Sequence, residues 1–456
     1  MRVFLLKAIL VAGLAVLIGG FPSPGRSDAG AQVSKSQVIA FTNVNVVPMD
    51  KEQVLSSQTV VVRDGRIHQI GPAATTSVPE GAVQIDGQGK FLMPGLTDMH
   101  IHGLEDNLQE EMFLYLANGV TTVRHLKGRS ELLKLRQQIA RGEVSGPTLY
   151  TCGPIVFGDK KPDDARRIVA EQAKAGYDCI KIYGDWSQSG YEALISAANT
   201  NKIPAVGHFA RNLPLDVNLR GRTEVAHAEE FIYTYFMKET GRGEWARRET
   251  LIPKVVEIMK GSGVAVTATL VAYDHIGRLI SDETLRELVN KPELKYVPRG
   301  RRAKMTSDSE YRSNFKPTDF NGLRKGLSLQ MKLVKALNDA GVKILLGTDG
   351  SLQANFPVIP GFAAHEELRL LVDSGLTPYE AILTGTRNAA EVLGASAEFG
   401  TVTVGKRADL ILVEGNPLAD VANVARRAGV MVRGRWIPES EIRKKLAEIE
   451  ARFAKS

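Results

Sequence analysis

The stretch Pro94-Gly95-Leu96-Thr97-Asp98-Met99-His100-Ile101-His102-Gly103 decides how the rest of the chain is read. Apolar residues lead into it from Phe91 and Leu92, and it ends in a His-x-His pair closed by Gly103. In an extended strand, side chains two positions apart project from the same face. His100 and His102 can therefore offer two imidazoles to one divalent cation without backbone strain. Two unrelated loop histidines would show the same spacing, so the reading depends on further ligands arriving from other strand ends.

The 456 residues suffice for one large domain and a smaller one. With 43% hydrophobic and 24% charged residues, disordered and collagen-like classes are excluded. The net charge of +7 is dispersed apart from a short group at 299–302, and no nucleic-acid-reading motif accompanies it. The charge reads as solubility, with no nucleic acid as partner.

Arg2 and Lys7 precede an apolar run at 8–18, too short to span a bilayer, and Ala29-Gly30-Ala31 follows. That order predicts a secretory signal peptide over 1–31, an exported (periplasmic or secreted) protein and no stable membrane span after its removal. Cys152 and Cys179 are the only cysteines. Whether they pair stays open; Cys179 shares strand parity with Lys181 and reads as a buried core thiol.

From 37 to 93 the chain reads as short strands, with β-branched runs at 44–47 and 59–62, a hairpin signal at Asp64-Gly65 and breaks at Gly87 and Gly89. The same texture returns at 401–404, 409–413 and 429–436. Two β-rich ends predict a small β-sandwich domain built from 37–93 and 399–440, with a C-terminal helix over 441–456. Between them, over 94–398, helical patterns at 111–118, 130–141, 164–175 and 191–201 alternate with strand-like runs. The strands are read at 120–123, 148–152, 179–183, 204–208, 224–227, 264–270 and 343–346. With the strand ending at His100 this makes eight βα units, so the expected class is α/β, a TIM (β/α)8 barrel. Chemistry in such barrels sits at the carboxyl ends of the strands, where His100, His102, Lys181, His208, His227 and Asp349 fall. The segment 273–320 is longer than an ordinary βα loop and reads as a lid or substrate wall.

Taken together, Pro94-Gly95-Leu96-x-Asp98-x-His100-x-His102, Asp178 to Tyr183, Gly207-His208, Ala226-His227 and Gly347-Thr348-Asp349 form a pattern. It resembles the amidohydrolase superfamily, more closely its imidazolonepropionase-like branch with two-metal, prolidase-type dipeptidases. The closing segments 384–390 and 400–410 are similar to the end of that branch. The resemblance implies that His100 and His102 bind one metal together with Asp349, that His208 and His227 bind a second, and that Lys181 is carbamylated by CO2 and bridges both. An ammonium would repel two divalent ions, whereas a carbamate supplies anionic oxygens. The implied cofactors are two divalent ions, zinc by expectation, sharing a water held as hydroxide, with Asp349 as proton shuttle.

The implied activity is hydrolysis of a carbon–nitrogen bond in a peptide-like or N-acyl amino acid substrate, a small molecule. Departures from the dipeptidase pattern at 151–154 and 208–211 remove its usual carbonyl-polarising pair, so Tyr183 is the substitute candidate for steadying the oxyanion. His125, Arg211, His275 and His365 are candidates for touching substrate or supporting the metal ligands, His275 alternatively being exposed to solvent. An esterase or lactonase, a mononuclear deaminase-type enzyme on the same fold and a catalytically dead scaffold stay open as alternatives, and so does a homo-oligomer.

Overall fold

The computed structural model describes residues 37–456 apart from Arg242; the leader expected over 1–31 lies outside the described residues. The strands Leu55–Arg63 and Arg66–Pro72 pair antiparallel. Between them Asp64 and Gly65 both take positive φ, 52° and 73°, the backbone that a two-residue hairpin with right-handed twist requires. Ile39–Val46 lies beside this hairpin, and Phe91–Pro94 joins it to Leu410–Val413, Arg427–Val432 and Arg435–Pro438 from the far end of the chain. The result is one eight-stranded sheet. Phe41, Val44, Val60, Val62, Leu410, Leu412 and Met431 gather into a buried cluster on it, the outcome of β-branched and aliphatic residues at alternate positions.

The middle of the chain alternates short parallel strands with helices. Leu96–Ile101 pairs with Val120–His125, which pairs with Thr148–Thr151. Ile180–Tyr183 pairs with Ala205–Gly207, Glu224–Ala226 with Ala265–Thr267, and Ala265–Thr267 in turn with Ile344–Leu345. Backbone bonds join these groups: Asp178 N–H donates to Thr151 O (2.9 Å), Thr223 N–H to Ala205 O (3.0 Å) and Met99 N–H to Leu346 O (2.9 Å). Each strand thus bonds to the next and the last returns to the first. Leu96–Ile101 is buried throughout, as a strand covered on both faces must be.

Helix ends follow local chemistry. Pro162 opens Pro162–Ala175 and Gly176 closes it with φ 85°, while Thr377 and Glu380 form a reciprocal capping box on Pro378–Thr384. The strand expected over 264–270 stops at Thr267, and a helix begins at Leu270. Thr269 turns left-handed there (φ 49°), so the chain cannot stay extended. The segment expected as an insertion is almost wholly helical, with Leu270–Ile280, Asp282–Val289, Arg299–Met305 and Glu310–Asn314. The C-terminal helix runs Glu439–Phe453 and buries Ile442, Leu446, Ile449 and Phe453.

One reading is corrected. Cys179 is no free thiol: Cys152 and Cys179 are joined (Sγ–Sγ 1.97 Å), their strands being neighbours through the parallel bridge at these two residues. The sequence separation of 27 hid that adjacency. Among the described residues, no helix is long and apolar enough to cross a membrane.

Candidate metal centre

The sheet from the two ends of the chain docks where the parallel strands begin. Arg433 donates to Gly146 O (3.0 Å), and Gly95 N–H donates to Asp409 O (2.8 Å). The candidate ligands lie at the other ends of the strands. His100 Nε2 and His102 Nε2 stand 3.2 Å apart, and Asp349 Oδ1 is 3.0 and 2.9 Å from them. Donor atoms sharing a first-row cation at bond lengths of about 2.0–2.2 Å are separated by roughly 3 Å. This trio is the group among the described residues whose donor atoms could hold one ion.

Local backbone explains the meeting. Asp349 follows Ile344–Leu345 with φ 62°, and its N–H donates to His100 O (2.8 Å). Asp98, inside the opening motif, accepts from Thr348 Oγ1 (2.6 Å), Thr348 N (3.1 Å) and His100 N (3.1 Å), tying the two strand ends together. Burial pushes Asp98 up to about 7 against those bonds. A Cβ on Gly103 would lie 2.5 Å from Glu111 Oε1 and 2.6 Å from Ser351 Oγ, so the residue after the His-x-His pair must be small as well as left-handed.

His227 and His208 continue the ring of imidazoles, with centroids 4.6 Å from His100 to His227 and 4.7 Å from His227 to His208. Thr269 Oγ1 donates to Ala268 O (2.8 Å), so it accepts from His227 Nδ1 (2.8 Å); Glu230 accepts from His208 Nδ1 (3.0 Å). Both rings thereby keep Nε2 as a lone-pair donor, the tautomer a metal-ligating histidine needs. Burial, reinforced by the charge of Lys181, holds His100 well below the usual imidazole range and lowers His208; burial and His100 do the same to His227. Burial would raise Asp349, but His100 and His102 outweigh it and hold the carboxyl far below its usual range.

Lys181 is 1% exposed, its Nζ has no hydrogen-bond partner, and burial brings its amine down to about 8. The donor set therefore fits divalent cations: imidazoles kept neutral at His100, His208 and His227, an ionised carboxylate, and the buried Lys181 Nζ without a protein partner.

Tyr183 is 43% exposed at the cavity edge, its ring 4.6 Å from that of His208. The cavity, about 260 Å³, is lined by His102, Tyr183, His208, Arg211, His227, Glu229, Thr269, Asp349 and, from the helical segment, Tyr273, Ile276 and Tyr311. Burial and then the neighbouring Glu230 push Glu229 up to about 8. His125 does not line this space. Lys127 N–H donates to its Nδ1 and its Nε2 donates to Gly103 O (3.1 Å), so it braces the loop behind His102.

Arg211 reaches the cavity but is committed to Glu230 (2.5 Å). His275 is fully buried, neither solvent-facing nor at the cavity, because it bonds Glu366 (2.9 Å). His365 lies near Arg427, and burial lowers it to about 4. Glu367, two residues on, is fully buried and accepts from Leu270 N (3.1 Å) and Val271 N (2.7 Å) next to Thr269. Glu230, Thr269, Asp98 and Glu367 were not anticipated as site residues. Of these, only Asp98 carried a signal, its place in the motif.

The amidohydrolase family model matches residues 91–437. The chain belongs to the amidohydrolase family. It is similar to imidazolonepropionase from Agrobacterium fabrum, at 37% identity with 85% of this chain and 93% of that protein covered. Imidazolonepropionase from Sphingopyxis alaskensis is 24% identical over 85% of this chain and 94% of its own. Among solved structures, a putative prolidase from Bifidobacterium longum is similar in fold, with TM-score 0.66 at 23% identity, covering 91% of this chain and 99% of that one. This amidohydrolase is a metal-dependent hydrolase of carbon–nitrogen bonds. The family acts on small molecules and uses divalent metal.

Proposed function

We propose that this amidohydrolase cleaves an amide in a peptide-like or N-acyl amino acid substrate, using two divalent cations held by His100, His102, Lys181, His208, His227 and Asp349. The observation that carries this reading is the convergence of His100 Nε2, His102 Nε2 and Asp349 Oδ1 in a fold with a buried, partnerless lysine amine on the strand Ile180–Tyr183. The frame is a TIM (β/α)8 barrel with a small β-sandwich domain from 37–93 and 399–440, a reading supported by the strand series that returns on itself. Zinc is the expected ion, since imidazole and carboxylate donors suit it.

When bound, the cations polarise the scissile carbonyl and acidify the attacking water. The Lys181 amine would add through its lone pair to the carbon of CO2 with loss of a proton, and the resulting carbamate would supply an anionic oxygen to hold the cations. Asp349 takes the proton from the water during attack and returns it to the leaving nitrogen. Tyr183 donates its phenol to the developing oxyanion.

Metal content per chain measured by mass spectrometry, together with a panel of dipeptides, N-acyl amino acids, esters and lactones, tests the reading. About two cations, reconstitution that depends on bicarbonate, and preference for amides are expected. A single-cation centre is favoured by one observation, that the tight donor group is His100, His102 and Asp349 alone. One cation per chain with full turnover would establish it and remove the carbamate.

Export is proposed on the leader-like start of the chain and the Cys152–Cys179 disulfide, since such bonds persist in oxidising compartments. Fractionation with N-terminal sequencing of the mature protein tests this, and a protein retained in the cytoplasm with Met1 intact would refute it.

A further inference from the structure

The turn after Glu224–Ala226 carries two adjacent glutamates with opposite surroundings. Glu230 is fully buried and satisfied: His208 Nδ1 (3.0 Å) and Arg211 Nη2 (2.5 Å) donate to Oε1, and Phe209 N–H (3.2 Å) donates to Oε2. Glu229 faces the cavity, and among the described residues its carboxylate makes no hydrogen bond and no ion pair. The backbone enforces this division. His227 is left-handed (φ 75°), and a single π-helical turn, Ile232–Phe236, begins two residues after Glu230. Such backbone irregularities persist only where surrounding structure holds them, commonly at functional sites.

The other cavity walls fit the charge of Glu229. Tyr183, Tyr273 and Tyr311 line the same space, and a carboxylate among phenol rings is the environment that receives an alkylammonium or guanidinium group. The nearby cation cannot serve the opposite purpose, because Arg211 is paired with Glu230 and lies 4.2 Å over the Tyr233 ring. A half-buried carboxyl without a partner is costly to ionise, in keeping with its rise to about 8, and a cation arriving with the substrate favours the charged form.

We propose that Glu229 is a specificity-determining residue that selects substrates carrying a cationic ammonium or guanidinium group close to the scissile amide. This rests on the reading of the rim as a carbon–nitrogen hydrolase. Two measurements on the full-length protein as isolated test it separately. In the first, kcat/KM is compared for amide pairs matched in length, lysine-type against norleucine-type and arginine-type against citrulline-type, in wild type, Glu229→Gln and Glu229→Asp. Wild type is expected to favour the cationic member at least tenfold. Glu229→Gln should collapse that ratio at least tenfold, mainly through KM, and Glu229→Asp should restore part of it. Equal handling of both members by wild type, or a ratio unchanged by Glu229→Gln, overturns the proposal.

The second measurement is calorimetric binding of agmatine and of its neutral analogue (4-hydroxybutyl)urea. Saturable agmatine binding that Glu229→Gln weakens at least tenfold supports the proposal, and indifference to that substitution overturns it. If agmatine binds through Glu229 while no amide in the panel is hydrolysed, the hydrolytic reading fails and the cation site stands.

Discussion

The cavity has two sides built on different principles. The rim sits on strand ends, where the main chain itself sets distances: His102 N–H donates to Gly350 O (3.0 Å), Asp349 N–H to His100 O (2.8 Å), and Asp98 locks both strands. The wall that brings Tyr273, Ile276 and Tyr311 is a chain of short helices held to the rest by side chains. Glu367 accepts from the start of Leu270–Ile280, His275 and Lys291 (2.5 Å) hold Glu366, and Arg301 donates to Gln353 O (2.6 Å). A rim governed by sheet register tolerates little change, whereas a wall held at a few points can be rebuilt while the chemistry persists.

That difference can be broken deliberately. The largest effect belongs to Asp349→Asn, which keeps the side-chain size but removes the charge. Turnover is expected to fall about 10³-fold or more with melting temperature within a few degrees, read by steady-state kinetics and calorimetry. Wild-type rates would show that the rim is not the catalyst. Lys181→Met should come next, leaving the buried strand intact while lowering bound metal from about two ions to one, measured by mass spectrometry. Retention of both ions would dismiss the bridge.

Glu230→Gln probes the rim one layer out. By losing the carboxylate behind His208 it should weaken metal affinity or activity about 10–100-fold, without the collapse seen at Asp349. An effect as large as that of Asp349→Asn would erase the distinction between ligand and support.

The smallest effect on chemistry is expected from the wall. Burial would raise the Glu366 carboxyl, but His275 and Lys291 outweigh it, leaving it below the ordinary value of 4.5. A carboxyl lowered on folding stabilises the protein above its unfolded range and loses that contribution as pH falls through its folded value. The anchorage is therefore at full strength at neutral pH. Glu366→Gln should cost about 1–3 kcal/mol at pH 7 and raise KM with kcat changed only a few-fold. Its stability gap from wild type should narrow progressively as pH falls below 4.5. A kcat loss equal to that of Glu230→Gln would mean that wall and rim act as one unit.

The same contrast explains what the sequence disclosed. His100, His102, His208, His227 and Asp349 were legible because each ends a short apolar run, and strand ends on a parallel sheet converge by construction. The partners of the second pair of imidazoles were not: Thr269 lies 42 residues from His227, and Glu230 lies 22 from His208, beyond any local pattern. Whether Arg211 would touch substrate or support a ligand stayed open because sequence does not show which carboxylate faces a guanidinium; it pairs with Glu230 behind His208. His275 and His365 misled for a related reason, since helix polarity does not say which side of a helix meets a neighbouring helix. The helical wall itself appeared only as a long polar segment.

The sheet that joins Ile39–Val46 and Phe91–Pro94 to Leu410–Val413 brings together segments more than 300 residues apart in sequence. During synthesis, the first strands leave the ribosome long before their neighbours exist. Edges exposed in the meantime must be kept from pairing elsewhere, and the sheet can close only after Leu410–Val413, Arg427–Val432 and Arg435–Pro438 have been added.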